Sequence, residues 1–403
     1  MKFSFREYVF LRENILRKLN NILSKESKVR ARSDWHARRQ PRPCGLTVHS
    51  ALGCTNACVY CYIQDMGFDY RRAKPYGLSG EEIVYAIISN RFFVPGKYGT
   101  YLAYGSITEP FLTKEITSKT IEYISATAKF LGNPMQISTK SFIDEHTAGV
   151  LKKVTGLKPL SVLVTLLTLR EGLYKKLEPR ASPPLNRLKT IRNLSKRGLP
   201  VFVFYRPLIP GVLSAEDFEE TVNEAKRHGA LGVVVGGFRV TANIIERFEK
   251  LGLNTIEIKR RVKRALKNHE QVSLALRDLK EEFLKIAREK GLIVVKTACC
   301  ANTISFKCIT GEIIPCAGLC YLKNMCTSCS LKCYNHLPKV VEDDLIFAIN
   351  YLLKENVTSS KIDIRDKSIA IMLSKRAFRR AKRRKIRIIL ETIYRRKVIF
   401  LKS

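Results

Sequence analysis

Long apolar segments are absent from this 403-residue sequence. No uncharged, continuously apolar run approaches the roughly 18 residues that a membrane helix needs; residues 346–353, for example, span eight. Charged side chains are scattered through the first 20 residues, so the apolar core of a secretory signal is missing. We therefore expect a soluble, cytoplasmic protein with no membrane segment.

Acidic residues are also scarce: 36 Asp and Glu stand against 72 Lys and Arg, which leaves a formal net charge of +36. Such an excess is typical of proteins that bind polyanions, most often nucleic acid. Adaptation to an unusual cell interior is the alternative, and the low Gln content of four residues together with the many Lys and Arg fits a thermophile. The hydrophobic fraction of 45% excludes wholesale disorder.

No cysteine occurs between Cys61 and Cys299, although the chain has twelve. Three lie close together before this gap, and eight crowd into residues 299–333. Clustered cysteines in a chain without secretory features are typical of metal ligands rather than of a disulfide framework. Because disulfides do occur inside hyperthermophiles, that alternative stays open for Cys44, Cys299 and Cys300.

Short β-rich runs alternate with amphipathic stretches from about residue 45 onward. This alternation indicates βα units and a parallel sheet. Six units are too few for an eightfold barrel, so we predict an open, partial (β/α)6 TIM-like barrel with its chemistry at the C-terminal strand ends. The predicted strands are 45–50, 100–105, 135–139, 161–167, 201–206 and 231–235, and the clearest helices are 79–90, 114–130, 185–197 and 215–227.

The chain divides into four predicted parts. A basic N-terminal arm covers residues 1–43, and the α/β barrel covers 44–295. A cysteine-rich extension that binds a metal or a cluster follows over 296–340, and a basic helical C-terminal tail covers 341–403.

The motif Cys54-x3-Cys58-x2-Cys61 follows the first predicted strand. Three thiolates at these spacings can surround one face of a [4Fe–4S] cluster and leave the fourth iron open for a small molecule. A structural zinc site would need a fourth ligand, for which His49 is the near candidate. The position after a strand favours the cluster.

With Tyr60 before its last cysteine, this motif resembles the signature of the radical S-adenosylmethionine (SAM) superfamily. The resemblance implies a partial barrel, a [4Fe–4S] cluster and SAM bound to the open iron. It also implies reductive cleavage of SAM to a 5′-deoxyadenosyl radical, which abstracts hydrogen from a substrate. The electrons would come from a reductant such as ferredoxin or flavodoxin.

Segments at the predicted strand ends are similar to the group of this superfamily that is related to spore photoproduct lyase, a DNA repair enzyme. They are 104–110, 139–141, 177–179, 206–211 and 235–239. The resemblance implies that three sets of residues bind SAM. Ser106, Thr108 and Glu109 would contact its amino group, Lys140 and Ser141 its carboxylate, and Glu178 its ribose. Each residue also has a structural interpretation, as a strand terminus or a helix cap.

One departure from that group concerns the hydrogen donor. Spore photoproduct lyase uses a cysteine near the end of its second barrel strand, whereas residues 101–106 contain none here. Tyr104 is the candidate catalytic donor in its place. The departure favours a substrate other than a thymine dimer. Together with the basic charge, the resemblance favours a nucleotide in DNA or RNA that is repaired or modified.

The second cysteine region ends in a run whose spacings repeat those of an iron–sulfur or zinc site. A second [4Fe–4S] cluster and a structural zinc ion are the alternatives. The cluster is favoured, because zinc commonly binds two knuckles and only one pair of these cysteines has the spacing of a knuckle. The candidate ligands are Cys316, Cys320, Cys326, Cys329 and Cys333, with Cys300 or His336 as further choices for the fourth position.

Residues 375–403 contain thirteen basic residues and one acidic residue, Glu391. No Pro or Gly interrupts them, so they predict a helix whose surface binds phosphates, with a solvated basic tail as the alternative. Trp35 and Tyr394 are candidates for base stacking. The predicted nucleic-acid contacts are Arg376, Arg379, Arg380, Arg383 and Arg384.

A radical SAM enzyme that acts on nucleic acid is thus the favoured function. One rival is a radical SAM enzyme that modifies peptides or proteins, since cysteine-rich extensions with auxiliary clusters occur there too. A rival from another class is a non-catalytic iron–sulfur protein that binds nucleic acid.

Overall fold

The computed structural model describes residues 4–42, 45–267, 269–323, 331–354, 356–358 and 361–403. Strands and helices alternate along the chain. The strands are β1 (Leu46–Val48), β2 (Ala51–Leu52), β3 (Lys74–Pro75), β4 (Leu102–Tyr104), β5 (Met135–Thr139), β6 (Leu160–Thr165), β7 (Val201–Tyr205), β8 (Gly232–Val235), β9 (Arg239–Val240), β10 (Val272–Ser273), β11 (Ile293–Val295), β12 (Ile362–Ile364), β13 (Ser368–Leu373) and β14 (Lys397–Lys402). The helices are α1 (Phe5–Ile22), α2 (Lys25–Ser33), α3 (Gly80–Ser89), α4 (Lys114–Phe130), α5 (Glu145–Thr155), α6 (Glu171–Leu177), α7 (Pro184–Lys196), α8 (Ala215–Arg227), α9 (Ala242–Lys250), α10 (Ile256–Arg260), α11 (Arg277–Glu289), α12 (Ala298–Thr310), α13 (Glu342–Leu353), α14 (Lys375–Arg384) and α15 (Arg387–Tyr394).

A parallel sheet of seven strands lies at the centre, in the order β1-β4-β5-β6-β7-β8-β11. All six predicted strands are present, and β11 extends the sheet by pairing with β8. Since β1 and β11 form opposite edges, the sheet is the predicted open, partial barrel. Every residue of β6 is buried, as expected for a central parallel strand that is covered on both faces.

Local sequence determines where the barrel helices begin. Ser79 accepts a hydrogen bond from the backbone N–H of Glu82, whose carboxylate accepts from the Ser79 N–H in return. Ser214 and Asp217 form the same reciprocal cap at the start of α8. These capping boxes satisfy N–H groups that the first helical turn leaves unpaired.

Helix α12 packs on the opposite face of the sheet from the main core. Val162, Val164 and their neighbours on alternate positions of β6 to β8 belong to the large core, whereas Leu163, Phe202 and Val234 pack with α12. This division follows from the alternation of side chains along a strand. Helix α12 therefore occupies part of the interior of the open barrel.

The two ends of the chain share a second core. Phe5 and Tyr8 of α1 pack with residues of α13, β13, α14, α15 and β14. We call α1, α13, β12, β13, α14, α15 and β14 together the terminal module. The predicted helix over 375–403 is two helices and a strand, because Lys385 takes a left-handed conformation and the 397–402 segment pairs with β13.

None of the helices in the described ranges has both the length and the apolar composition needed to cross a membrane.

Candidate active site

A cavity of about 270 Å³ opens at the carboxyl ends of the barrel strands. Parallel strands end at the same edge, so residues that are far apart in sequence meet there. The cavity brings together the three cysteines of the first motif and four of the predicted SAM contacts. These residues are Cys54, Cys58, Cys61, Ser106, Thr108, Glu109 and Lys140.

The cysteine loop is fixed by contacts from two other parts of the barrel. Gly53 begins the loop with φ +83°, and a Cβ there would lie 2.1 Å from the carbonyl oxygen of Arg72, so only glycine fits. The Thr108 hydroxyl donates to the Gly53 carbonyl at 2.6 Å. Arg247 of α9 donates to the carbonyls of Val59 and Cys61, at 3.0 Å each.

Burial raises the pKa of Cys54 to about 11, and it raises the pKa values of Cys58 and Cys61 as well. The Lys140 ammonium group opposes this effect at all three thiols. Holding all three as thiolates would therefore call for more positive charge than Lys140 supplies, and a metal centre provides it. This soft donor set fits an iron–sulfur cluster.

His49, the alternative fourth ligand for zinc, packs against aromatic residues outside the cavity. Its ring packs against Trp35 with centroids 4.7 Å apart, and it does not line the cavity. Its backbone N–H donates to Nε2 of buried His36 at 3.0 Å. His49 is therefore not placed to complete a four-ligand zinc site with the three cysteines.

Two oppositely charged groups flank the cysteine loop. The buried carboxylate of Glu109 accepts hydrogen bonds from the Thr139 hydroxyl and, at 2.7 Å, from the Lys140 N–H. Its burial raises the pKa of Glu109. The Lys140 ammonium lies 5.7 Å from the Tyr60 ring centroid and has no hydrogen-bond acceptor among the described residues. An amino acid zwitterion matches this pair of charges.

Glu178, predicted to bind the SAM ribose, does not line the cavity. Its carboxylate accepts from the Tyr60 hydroxyl and forms an ion pair with Arg187, and both charged side chains are buried. Glu178 therefore anchors the tyrosine of the cysteine motif from behind. Ser141 is also outside the cavity lining; its backbone N–H donates to the Thr139 hydroxyl at 3.0 Å.

The prediction that Tyr104 donates hydrogen is wrong. Ala103 lines the cavity, and by alternation along β4 its neighbour Tyr104 faces the other side of the sheet. The Tyr104 hydroxyl lies 2.9 Å from the hydroxyl of Thr127 on α4 and is fully buried. Tyr62 and Tyr70 are the tyrosines besides Tyr60 that line the cavity.

The second cysteine region forms a separate site. The sulfur atoms of Cys299, Cys316 and Cys320 all lie within 4.8 Å of one another. Cys300 and Cys333 line a small cavity beside them. Cys299 and Cys300 form no disulfide with any cysteine that the structure describes. The predicted ligands Cys326 and Cys329 lie outside the described residues, as does Cys44.

The predicted nucleic-acid arginines differ in their surroundings. Arg376, Arg379 and Arg383 are exposed and line an open groove on α14. Arg380 also lines it, but its guanidinium donates to the carbonyl of Leu353, and Arg384 donates to that of Leu352 at 2.8 Å. These last two therefore cap the C-terminus of α13.

The predicted stacking residues are both engaged within the protein. Tyr394 is buried, and its hydroxyl donates to Asp344 at 2.8 Å, so its assignment to base stacking is wrong. Trp35 packs on His36 and His49. Sequence reasoning missed Arg247, Arg187 and Asp344, since nothing local distinguishes them from other charged residues of an extremely basic chain.

Similar sequences are found in mycobacteria and in a virus, and those proteins are uncharacterised. A protein of Mycobacterium tuberculosis is 24% identical over 204 residues, which cover 49% of this chain and 60% of that protein. The protein ORF301 of Acidianus two-tailed virus is 29% identical over 191 residues, covering 44% of this chain and 60% of its own length. The chain thus matches only part of each relative.

Among solved structures, a spore photoproduct lyase mutant with bound dinucleoside spore photoproduct is similar with a TM-score of 0.50. The two are 17% identical, and the match covers 62% of this chain and 75% of that one. This likeness shows a shared fold. Residues 48–225 match the radical SAM superfamily. This part of the chain is therefore a radical SAM domain.

Proposed function

We propose that this protein is a radical SAM enzyme that acts on a nucleotide within DNA or RNA. The observation that carries the proposal is one cavity that combines the three-cysteine loop with uncompensated positive charge. A radical SAM domain implies a [4Fe–4S] cluster and SAM, which together supply a 5′-deoxyadenosyl radical for hydrogen abstraction when they are bound and reduced.

The residues of this chain would hold and orient these groups. Cys54, Cys58 and Cys61 would hold the cluster, and the Tyr60–Glu178 contact fixes their loop. Glu109 would accept the ammonium group of SAM, since its carboxylate is already oriented by Thr139. Lys140 would meet the SAM carboxylate. Opposite charges at two fixed points give the ligand one orientation.

Positive charge at the cavity supports an anionic substrate. Arg206 and Arg239 line the cavity and are exposed, and the Lys280 ammonium lies 3.3 Å from where a Cβ on Gly237 would be. Burial and the charge of Arg206 lower the pKa of Lys280. No carboxylate within the described ranges pairs with Arg206 or Lys280. Such adjacent cations are stabilised by a phosphate between them.

Basic helix α14 offers additional phosphate contacts. Arg376, Arg379 and Arg383 form no hydrogen bond or ion pair within the part of the chain that the structure describes. A groove of this kind binds the backbone of a nucleic acid without reading its bases. The proposal thus assigns binding to α14 and the chemistry to the barrel cavity.

The test is an anaerobic assay of 5′-deoxyadenosine from the reconstituted protein with SAM and dithionite. Short DNA, short RNA and a peptide digest are added separately, and ferredoxin or flavodoxin then replaces dithionite as the proposed physiological reductant. We expect DNA or RNA to stimulate product formation. Cys58→Ala should abolish it, whereas Cys308→Ala, which alters an exposed cysteine, should not. Stimulation by the peptides alone would contradict the proposal.

A further inference from the structure

We infer that Cys299, Cys316 and Cys320 bind a single zinc ion, with Cys300 or Cys333 as the fourth thiolate. The three sulfur atoms converge within 4.8 Å, and the other two cysteines line the adjoining cavity. The site is distinct from the cavity that contains Cys54, Cys58 and Cys61, and its existence does not depend on the proposed enzymatic function.

The spacing of the sulfur atoms distinguishes one ion from a cluster. With Zn–S bonds of about 2.3 Å, tetrahedral geometry places sulfur atoms about 3.8 Å apart. In a [4Fe–4S] cluster each cysteine binds a different iron, so the cysteine sulfurs lie about 6 Å apart. In the described ranges, Cys299, Cys316 and Cys320 form the one group of potential ligands this compact; the first-motif cysteines do not.

Buried Arg395 is the second observation that points to an ion here. The residue is 1% exposed, and its guanidinium donates to the carbonyls of Tyr98, at 2.7 Å, and Thr392. Its Nε has no hydrogen-bond partner, and within the described ranges its guanidinium forms no ion pair with a carboxylate; the groups that act on it electrostatically are Tyr101, Cys316 and Tyr321. An unpaired buried cation is costly. A zinc ion with four thiolates has a net charge of −2, which would offset this guanidinium.

The position of the site indicates a structural role. Cys299 lies on α12 inside the barrel, and it packs with Tyr101, which immediately precedes β4. The Tyr321 hydroxyl, next to Cys320, donates to the carbonyl of Arg395 in the terminal module at 2.6 Å. A zinc ion would therefore tie the module that contains α14 to the barrel.

Metal analysis of the full chain tests this inference directly. We expect about one zinc per chain, both in the wild type and in a variant with Cys54, Cys58 and Cys61 all changed to Ala, which should lose its iron. Iron with sulfide in place of zinc in that variant would show an auxiliary cluster and overturn the inference. The absence of both metals would overturn it as well.

Single substitutions then identify the ligands. Cys316→Ser and Cys320→Ser should reduce bound zinc at least fivefold, while Cys308→Ser, on the exposed face of α12, should retain it. Of Cys300→Ser and Cys333→Ser, one should lose zinc, and full retention by both would contradict the four-thiolate assignment. Because ligand variants can unfold, cobalt-substituted wild-type protein provides an independent measurement: tetrahedral thiolate coordination gives intense sulfur-to-cobalt absorption, and its absence would also overturn the inference.

Discussion

Glu178 and Arg187 form a buried ion pair directly behind the cysteine loop. Glu178→Ala would leave the Arg187 guanidinium buried without its counter-charge, so we expect the free energy of unfolding to fall by about 3–5 kcal/mol. Urea denaturation of the apoprotein measures this change. Glu171→Ala, which removes an exposed ion pair with Lys175, is the control and should leave the free energy of unfolding nearly unchanged. Equal losses in both variants would contradict the proposed anchoring.

The position of Tyr104 makes a second prediction at this scale. Tyr104→Phe removes a buried hydroxyl that pairs with Thr127, so we expect a loss of about 1 kcal/mol in stability. Formation of 5′-deoxyadenosine should stay within twofold of wild type, because the side chain does not reach the cavity. A large fall in product with unchanged stability would restore Tyr104 as a catalytic candidate.

These residues show how far a sequence can locate a site. The cysteine motif is local, so its loop was predictable from spacing alone. Whether Ala103 or Tyr104 faces the cavity depends on the register of β4, which the neighbouring strands determine. The partner of Glu178 was equally unpredictable from the sequence, because Arg187 reaches it from the start of another helix.

At the scale of elements, α14 has one exposed basic surface, and a structural edge whose arginines bind the end of α13. Changing Arg376, Arg379 and Arg383 together to Ala should weaken binding to a nucleic acid. The slope of the logarithm of the binding constant against the logarithm of the salt concentration should also become shallower. The change should be up to about 0.9 for each phosphate that the variant no longer neutralises. Fluorescence anisotropy with a labelled oligonucleotide at several salt concentrations measures both quantities.

The matched control changes Arg380 and Arg384, which donate to carbonyls at the end of α13. Those substitutions should mainly lower the thermal midpoint of the protein, because they remove a helix cap. If this pair reduced the salt slope as much as the exposed triple variant, the division of the helix into a binding face and a structural edge would be wrong.

The prediction of elements succeeded where the signal is local. The helices over 114–130 and 215–227 and the strand over 135–139 have the predicted bounds. Strand β14 was missed, since its basic composition without Pro or Gly is compatible with a helix. Left-handed conformations at Lys385 and Arg395 interrupt that helix, and pairing with β13 stabilises the strand. Neither feature has a local signature.

At the scale of the whole molecule, residues that are distant in sequence meet in ways that spacing cannot reveal. The predicted metal run, 326–333, consists of neighbours in sequence, whereas the compact trio joins Cys299 on α12 to Cys316 and Cys320. The N-terminal arm likewise cannot be recognised as part of the terminal module before the fold is known. Both associations form because α1 and α12 pack against elements that lie far from them in the sequence.

Asp344 links the two ends of the chain, and its replacement makes the last prediction. Its buried carboxylate accepts from the backbone N–H groups of Phe5 at 2.7 Å and Arg6 at 3.1 Å, and from the Tyr394 hydroxyl. Asp344→Ala would leave these donors without an acceptor, at a cost of about 1–3 kcal/mol for each one that stays buried. Hydrogen exchange should therefore accelerate in α1 and α15, while β5 to β7 keep their protection.

Asp343→Ala is the matched control, because that neighbouring carboxylate is exposed and its loss should leave exchange unchanged. If Asp344→Ala accelerated exchange equally in the barrel strands, the two ends and the barrel would unfold as one unit. Selective exchange in α1 and α15 would instead show that the terminal module opens separately. Nucleic-acid affinity should then fall in parallel, because α14 depends on the same core for its position.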